Sequence, residues 1–228
     1  MNNLYTRTEL LIGSEGVEKL KNASVLVVGV GGVGGYATEL LARAGVGKIT
    51  IVDSDKVDIT NLNRQIIALN STIGKLKVDV LKDRLLDINP SLNVVTHAVF
   101  YDDTTYQDIF SEHFDYVLDA IDSVPSKLHL ICYAKEKGIN IISAMGAGNR
   151  YELGDFKVMD IYKTSGDRLA RKMRKLLKDR GIKSLDVVCT DIPTMSKYSS
   201  VVGSISYMPP LCGVKMAGYV INQLLKKD

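Results

Sequence analysis

The stretch Ser24-Val-Leu-Val-Val28, running straight into Gly29-Val-Gly31-Gly32-Val-Gly34-Gly35, decides the fold. A continuous apolar run bounded by glycine reads as a strand buried on both faces, as in the middle of a parallel sheet. After the glycines, Ala37, Leu40, Leu41 and Ala44 recur at i, i+3, i+4 and i+7, the stripe of a helix packed on a core, and Gly45 is placed to stop it. A second buried strand, Ile49-Thr-Ile-Val52, ends at Asp53.

Strand, glycine turn, helix, strand and acid, in that order, open a Rossmann-like βαβ unit, and a right-handed crossover puts both strands in one parallel sheet. Further strands are expected over 93–98, 116–120 and 140–143, with helices over 78–87 and 126–137 between them. Beyond residue 150 the pattern changes. Residues 156–162 alternate as a half-exposed strand does, and 167–180 place Leu169, Met173, Leu176 and Leu177 on one helical face. Residues 190–200 read as a loop, followed by a last strand near 204–207 and a closing helix after Pro210. The expected fold is α/β, a doubly wound, mostly parallel sheet in a single domain over 1–228. Its nucleotide-binding core spans 1–150, and a C-terminal, substrate-facing portion over 151–228 ends in a strand and a helix.

Composition narrows the class. With 228 residues, 46% of them apolar and 24% charged, the chain is long enough for a full core, which excludes disorder and fibrous repeats. The net charge of +3 is uneven: residues 163–183 hold nine lysines and arginines against Asp167 and Asp179, a local +7 that leaves the rest at −4. Such a cluster on a near-neutral body points to a polyanion met at one face, nucleic acid first. Cys132, Cys189 and Cys212 form no CxxC pair, so no zinc knuckle or redox dithiol is expected, and the count fits a reducing cytoplasm. The start lacks the apolar core of a signal peptide and no stretch reads as a membrane span.

Glycines at 29, 31, 32 and 34 let backbone N–H groups approach a phosphate at a helix N-terminus, where the helix dipole favours negative charge, and Asp53 stands where a ribose hydroxyl would be met. Oxidoreductases share this much. Asn61-Leu-Asn63-Arg64-Gln65 and Gly74-Lys75-Leu76-Lys77 separate the readings, because transfer of AMP places charge on phosphorus that Arg and Lys must stabilise while pyrophosphate leaves.

Arg7, the glycine motif, Asp53, the run Asn61 to Gln65, Lys77 and Asp119-Ala-Ile-Asp122-Ser together resemble the ubiquitin-activating-enzyme-like adenylyltransferases, the superfamily of ThiF and MoeB. The resemblance implies ATP and Mg²⁺ as cofactors, with Gly29, Gly31, Gly32, Gly34 and Asp53 holding the nucleotide. It puts Asn61, Arg64 and Lys77 on the phosphates, Asp55 and Gln65 beside them, and Asp122 near magnesium. It also implies a homodimer in which Arg7 is lent to the other subunit's ATP. From Asp160 to Lys175 and from Gly203 to Pro210 the chain resembles the branch whose members dehydrate threonylcarbamoyladenosine in tRNA. That branch closes the activated carboxylate into a ring with a nitrogen of the same nucleoside, so no catalytic cysteine is called for.

Each functional assignment has a bland rival. Asp55 reads equally as a magnesium aid or a turn cap. Cys189 reads first as a small buried hydrophobe and second as a thioester-forming thiol. His97, His113 and His129 lack metal-ligand spacing. The basic helix is either a solvated face or a tRNA phosphate contact through Arg168, Arg171, Lys172, Arg174, Lys175 and Lys178. For the whole chain, the alternatives are activation of a ubiquitin-like sulfur carrier, a dehydrogenase, and a tRNA-binding module with a relic nucleotide site. Whether sulfur-transfer partner proteins feed the chain stays open.

Overall fold

Seven strands form one sheet in the computed structural model, which describes residues 3–195 and 202–226: β1 (Ser24–Val28), β2 (Lys48–Val52), β3 (Asn93–His97), β4 (Tyr116–Asp119), β5 (Asn140–Ala144), β6 (Lys157–Asp160) and β7 (Asp186–Cys189). Their order is β3-β2-β1-β4-β5-β7-β6, parallel throughout except for β6, which runs antiparallel along β7. Strand order reverses between β1 and β4, so the crevice of a doubly wound fold opens at the carboxyl ends of those two strands.

Helices cover both faces, as a sheet buried on two sides requires. On one face lie α1 (Thr6–Lys21), α2 (Gly34–Ala44), α3 (Lys77–Ile88) and α7 (Met208–Lys226); on the other lie α4 (Tyr106–Ile109), α5 (Val124–Glu136) and α6 (Arg168–Asp179). The period of two in β1 divides its side chains between the layers, Val25 and Val27 on the α2 side and Leu26 and Val28 on the α5 side. Among the described residues, no helix is long and apolar enough to cross a membrane.

Three expectations need correction. No strand forms near 204–207 in the C-terminal portion: β6 already fills the sheet edge beside β7, and this segment is pinned from outside the sheet. Gly203 N–H donates to Asn149 Oδ1 at 2.6 Å, Asn149 N–H donates to the Gly203 carbonyl at 2.8 Å, and Asn63 Nδ2 donates to the Ser204 carbonyl at 3.0 Å. The closing helix starts at Met208, ahead of Pro210, with both prolines in its first turn, where a missing N–H costs no hydrogen bond. The thioester reading of Cys189 takes it as the start of a loop, but Cys189 instead ends an inner strand, because Asp186-Val-Val-Cys189 pairs with both β5 and β6. The residues ahead of Ser24 form α1, broken at Gly13. Of the expected loop over 190–200, residues 196–200 lie outside the described residues.

Candidate active site at the carboxyl edge of the sheet

The glycine turn connects β1 to α2 at the strand-order reversal. Gly29 has φ 87°, a left-handed conformation that other residues adopt with strain, and a Cβ there would lie 2.7 Å from the Ala120 carbonyl oxygen. A Cβ on Gly34 would lie 1.8 Å from the Gly29 carbonyl oxygen, so the loop closes only around glycine. At Gly31 the space is different: a Cβ would meet only Gln65 Nε2, at 3.7 Å. Gly34→Ala is therefore expected to compromise folding. Gly31→Ala should melt like the parent but bind ATP several-fold more weakly, because the added methyl stands where a phosphate would approach. Melting curves and ATP titration of the two variants check this, and equal ATP affinity in Gly31→Ala would contradict it.

The N–H groups of Gly31, Gly32 and Val33 have no hydrogen-bond partner among the described residues, and these three residues lead directly into the first turn of α2. Unpaired donors at a helix N-terminus make an anion site. Asp53 is locked beside them: Val30 N–H donates to its Oδ2 at 2.8 Å and Asp55 N–H to its Oδ1 at 2.9 Å. Each oxygen keeps a lone pair for a hydroxyl.

The segment after β2 supplies the cations. Lys77 is 5% exposed, and its ammonium reaches Asp55 Oδ2 at 2.7 Å; its N–H also donates to the Asp55 carbonyl. The structure thus pairs Asp55 with Lys77. Asn61 is buried in a capping box with Asp58, which sets the turn that carries Arg64. Arg64 donates through Nη1 to the Thr60 carbonyl at 2.8 Å and to Asn63 Oδ1 at 2.9 Å, and its chain lies against Gly32 beside Pro209 at the start of α7. Gln65 is 7% exposed, and its Oε1 has no hydrogen-bond partner. A buried amide oxygen without a partner next to the glycine turn is an acceptor that a bound donor group could satisfy.

Asp122 is exposed on the turn between β4 and α5. That turn is anchored from below. Asp119 and Lys127 are both fully buried: Lys127 Nζ donates to Asp119 Oδ2 at 2.9 Å, to Ser143 Oγ at 3.1 Å and to the Ala144 carbonyl at 3.0 Å, and Ser143 Oγ–H donates to Asp119 Oδ2 at 2.6 Å. All three ammonium protons are satisfied, and the carboxyl ends of β4 and β5 are tied to the first turn of α5. A second buried pair holds α6. Asp167 caps the helix by accepting from Ala170 N–H at 2.7 Å and receives Arg150 Nη2 at 2.8 Å. Neither Lys127 nor Arg150 figures among the residues expected from sequence.

Of the basic residues of α6, Arg168, Arg171, Lys172, Lys175 and Lys178 are exposed, while Ala170, Met173 and Leu177 are buried. Arg174 differs from the expectation: it is half-buried and its Nη1 donates to the carbonyl and hydroxyl of Thr164. Arg7 stands exposed on α1. Cys189 is 2% exposed, and burial, with the Asp167 carboxylate adding to it, pushes its thiol up to about 11. A thiol protonated at neutral pH is a poor nucleophile. Cys189→Ala should keep full turnover; loss of activity with an unchanged melting curve would reinstate thioester chemistry. Among the described residues, no three His, Cys, Asp or Glu side chains cluster as a metal site.

A model of the ThiF family matches residues 5–228. The tRNA threonylcarbamoyladenosine dehydratase of Bacillus subtilis is 42% identical, over 99% of this chain and 96% of its own length. Alignments with the Haemophilus influenzae and Escherichia coli proteins of that name cover 63% and 64% of their lengths. A crystal structure of the E. coli dehydratase, TcdA, in complex with ATP superposes with a TM-score of 0.91 at 32% identity, over 97% of this chain and 93% of that one. The adenylyltransferase and sulfurtransferase UBA4 of Vanderwaltozyma polyspora is 43% identical, but over 62% of this chain and 32% of its own.

Proposed function

Because this chain belongs to the ThiF family, we propose that it is an ATP-dependent enzyme that dehydrates threonylcarbamoyladenosine in tRNA through an acyl-adenylate. The observation that carries this reading is the similarity to a dehydratase along 99% of the chain, which takes in the basic helix as well as the nucleotide core.

A carboxylate is a poor acyl donor. In the first step its oxygen attacks the α-phosphorus of ATP, the bond to the β-phosphate oxygen breaks, and pyrophosphate leaves. In the second step a nitrogen of the same nucleoside attacks the acyl carbon. AMP leaves with the former carboxylate oxygen and the nitrogen gives its proton to solvent, so one water is lost overall. The nucleophile is built into the substrate, which makes ring closure intramolecular.

The chain's part is positioning and charge. Asp53 holds the ribose, and the N–H groups of Gly31, Gly32 and Val33 receive the phosphates. Lys77 and Arg64 offset the charge that grows on the α-phosphate and the departing pyrophosphate, with Asn61 and Gln65 completing the cradle. Asp55 orients Lys77 through the 2.7 Å ion pair. Asp122 suits Mg²⁺, a hard ion that takes one or two carboxylates with substrate phosphates; when bound, the ion neutralises phosphate charge. Arg168, Arg171, Lys172, Lys175 and Lys178 meet tRNA phosphates, and a tRNA substrate puts the reaction in the cytoplasm.

The protein acts as a homodimer on this reading. Leu10 and Leu11 on α1 are 84% and 88% exposed, and Leu4 adds to them, an apolar face out of place on a lone subunit. Arg7 stands one turn away, ready to be lent across. An inactive Arg7→Ala protein mixed with an inactive Lys77→Met protein should recover about a quarter of parental activity, since half the dimers are mixed and each holds one intact site. No recovery after exchange of subunits would contradict sharing.

The test of function is AMP release from ATP and Mg²⁺ with tRNA that carries or lacks threonylcarbamoyladenosine. Release only with the modified tRNA supports the reading. Release only with a ubiquitin-like carrier protein would replace it with protein activation.

A further inference from the structure

Helix α5 buries Leu130, Ile131 and Ala134, and the side turned from them carries Pro125, Leu128, Cys132 and Tyr133, of which Leu128, Cys132 and Tyr133 are half-buried and only Pro125 is exposed. These residues line a groove of about 570 Å³. Tyr106 of α4 walls one side, and Arg180, just past α6, closes the other. Rings stand along it. Tyr106 meets His129 and Tyr133 edge-on with centroids 4.9 Å apart in both pairs, and His129 lies nearly parallel to Tyr133 at 6.3 Å. The buried Tyr101 hydroxyl sits 3.1 Å from His129 Nδ1 and fixes the imidazole, while Lys137 Nζ lies 5.7 Å from the Tyr133 ring centre. None of these groups takes part in the adenylation chemistry.

We propose that this groove receives an unpaired nucleobase of the tRNA near the modified adenosine, stacked on the Tyr106–His129–Tyr133 cluster. The inference rests on the tRNA reading above. Aromatic rings flanked by cations, Lys137 over the Tyr133 ring and Arg180 across the groove, match the flat base and flanking phosphate of a single-stranded nucleotide. The upper mouth is Pro125, three residues past Asp122, so an RNA with one nucleotide at the reacting edge has its neighbours within the span of α5, roughly 20 Å for a helix of this length. Charge is continuous as well: Arg180 extends the exposed positive stripe of α6 to the groove. Asp103 and Glu136 at the rim offer acceptors for exocyclic amines, which a bare phosphate lacks.

The test uses a stem-loop RNA of the anticodon arm carrying threonylcarbamoyladenosine, with a fluorescent adenine analogue placed at one loop position at a time, titrated with the full chain and ATP. One position should be quenched on binding, and bound RNA should shield the half-buried Cys132 thiol from maleimide. Tyr133→Ala and, separately, Arg180→Glu should remove the quench and weaken RNA binding about tenfold or more while leaving ATP affinity unchanged. Arg180 is exposed, so its variant keeps the fold even if loss of Tyr133 loosens the ring cluster. No quenching at any position, with RNA affinity unchanged in both variants, overturns the proposal. Because the quench reports binding whether or not turnover follows, a quench lost in both variants alongside absent AMP release by the parent would keep the groove and remove the dehydratase reading instead.

Discussion

Lys77→Met is expected to lower tRNA-dependent kcat by about 10²–10³-fold or more, the scale set by removing one preorganised stabiliser of transition-state charge. Lys77 is held before ATP arrives: it is buried, at the start of α3, and fixed by Asp55 on a turn that Asp53 itself orders. In the proposed role a buried ammonium would act on phosphorus through a low dielectric, which makes the expected contribution larger than a surface lysine's. The fold should survive, because methionine keeps the volume of the chain and the Asp55 side chain left behind is 65% exposed and can hydrate. Arg64→Ala should behave similarly, since only its Nη1 is tied to the Thr60 and Asn63 oxygens. Steady-state AMP release with parallel melting curves checks both. Full activity in either variant would remove that residue from the phosphate site.

Lys127→Met should instead damage the fold. It leaves the Asp119 carboxylate at 0% exposure with no cation, and breaking a buried pair from one side costs about 3–5 kcal/mol. For a chain of this size that lowers the melting temperature by roughly ten degrees. A double variant, Lys127→Met with Asp119→Leu, should recover part of the loss, because neither buried charge is then left uncompensated. Thermal melting of the two singles and the double gives the coupling directly. Additive losses would mean that Ser143 and the Ala144 carbonyl, not Asp119, are what Lys127 needs.

The parallel core was legible because its strands are apolar runs bounded by glycine, and the glycine turn, Asp53, Arg64 and Lys77 singled out the carboxyl edge because their spacing is the one the proposed ATP chemistry needs. What escaped has physical reasons. β7 is four residues long and is defined by its two neighbours, so local pattern does not announce it. The break at Gly13 interrupts the helical stripe of α1, while its exposed leucines face away from the core. Ser-Ile-Ser-Tyr over 204–207 has the alternation of a strand, but strand formation needs a free edge, and β6 takes it. Lys127 did carry a signal: with Leu130, Ile131 and Ala134 it falls at i, i+3, i+4 and i+7, a lysine on an apolar stripe, which calls for a buried partner. Arg174 and the Arg150–Asp167 pair carried none, since their partners are loop atoms brought near only by the folded chain.

The most direct measurement follows the oxygens. Modified tRNA labelled with heavy oxygen in the threonyl carboxylate is incubated with the protein, ATP and Mg²⁺, and the AMP and the nucleoside are weighed by mass spectrometry. Activation by adenylylation predicts one labelled oxygen in AMP and a nucleoside lighter by one labelled water, with the other label retained. Label in inorganic phosphate with ADP as the product, or unlabelled AMP with an unchanged nucleoside, would contradict it.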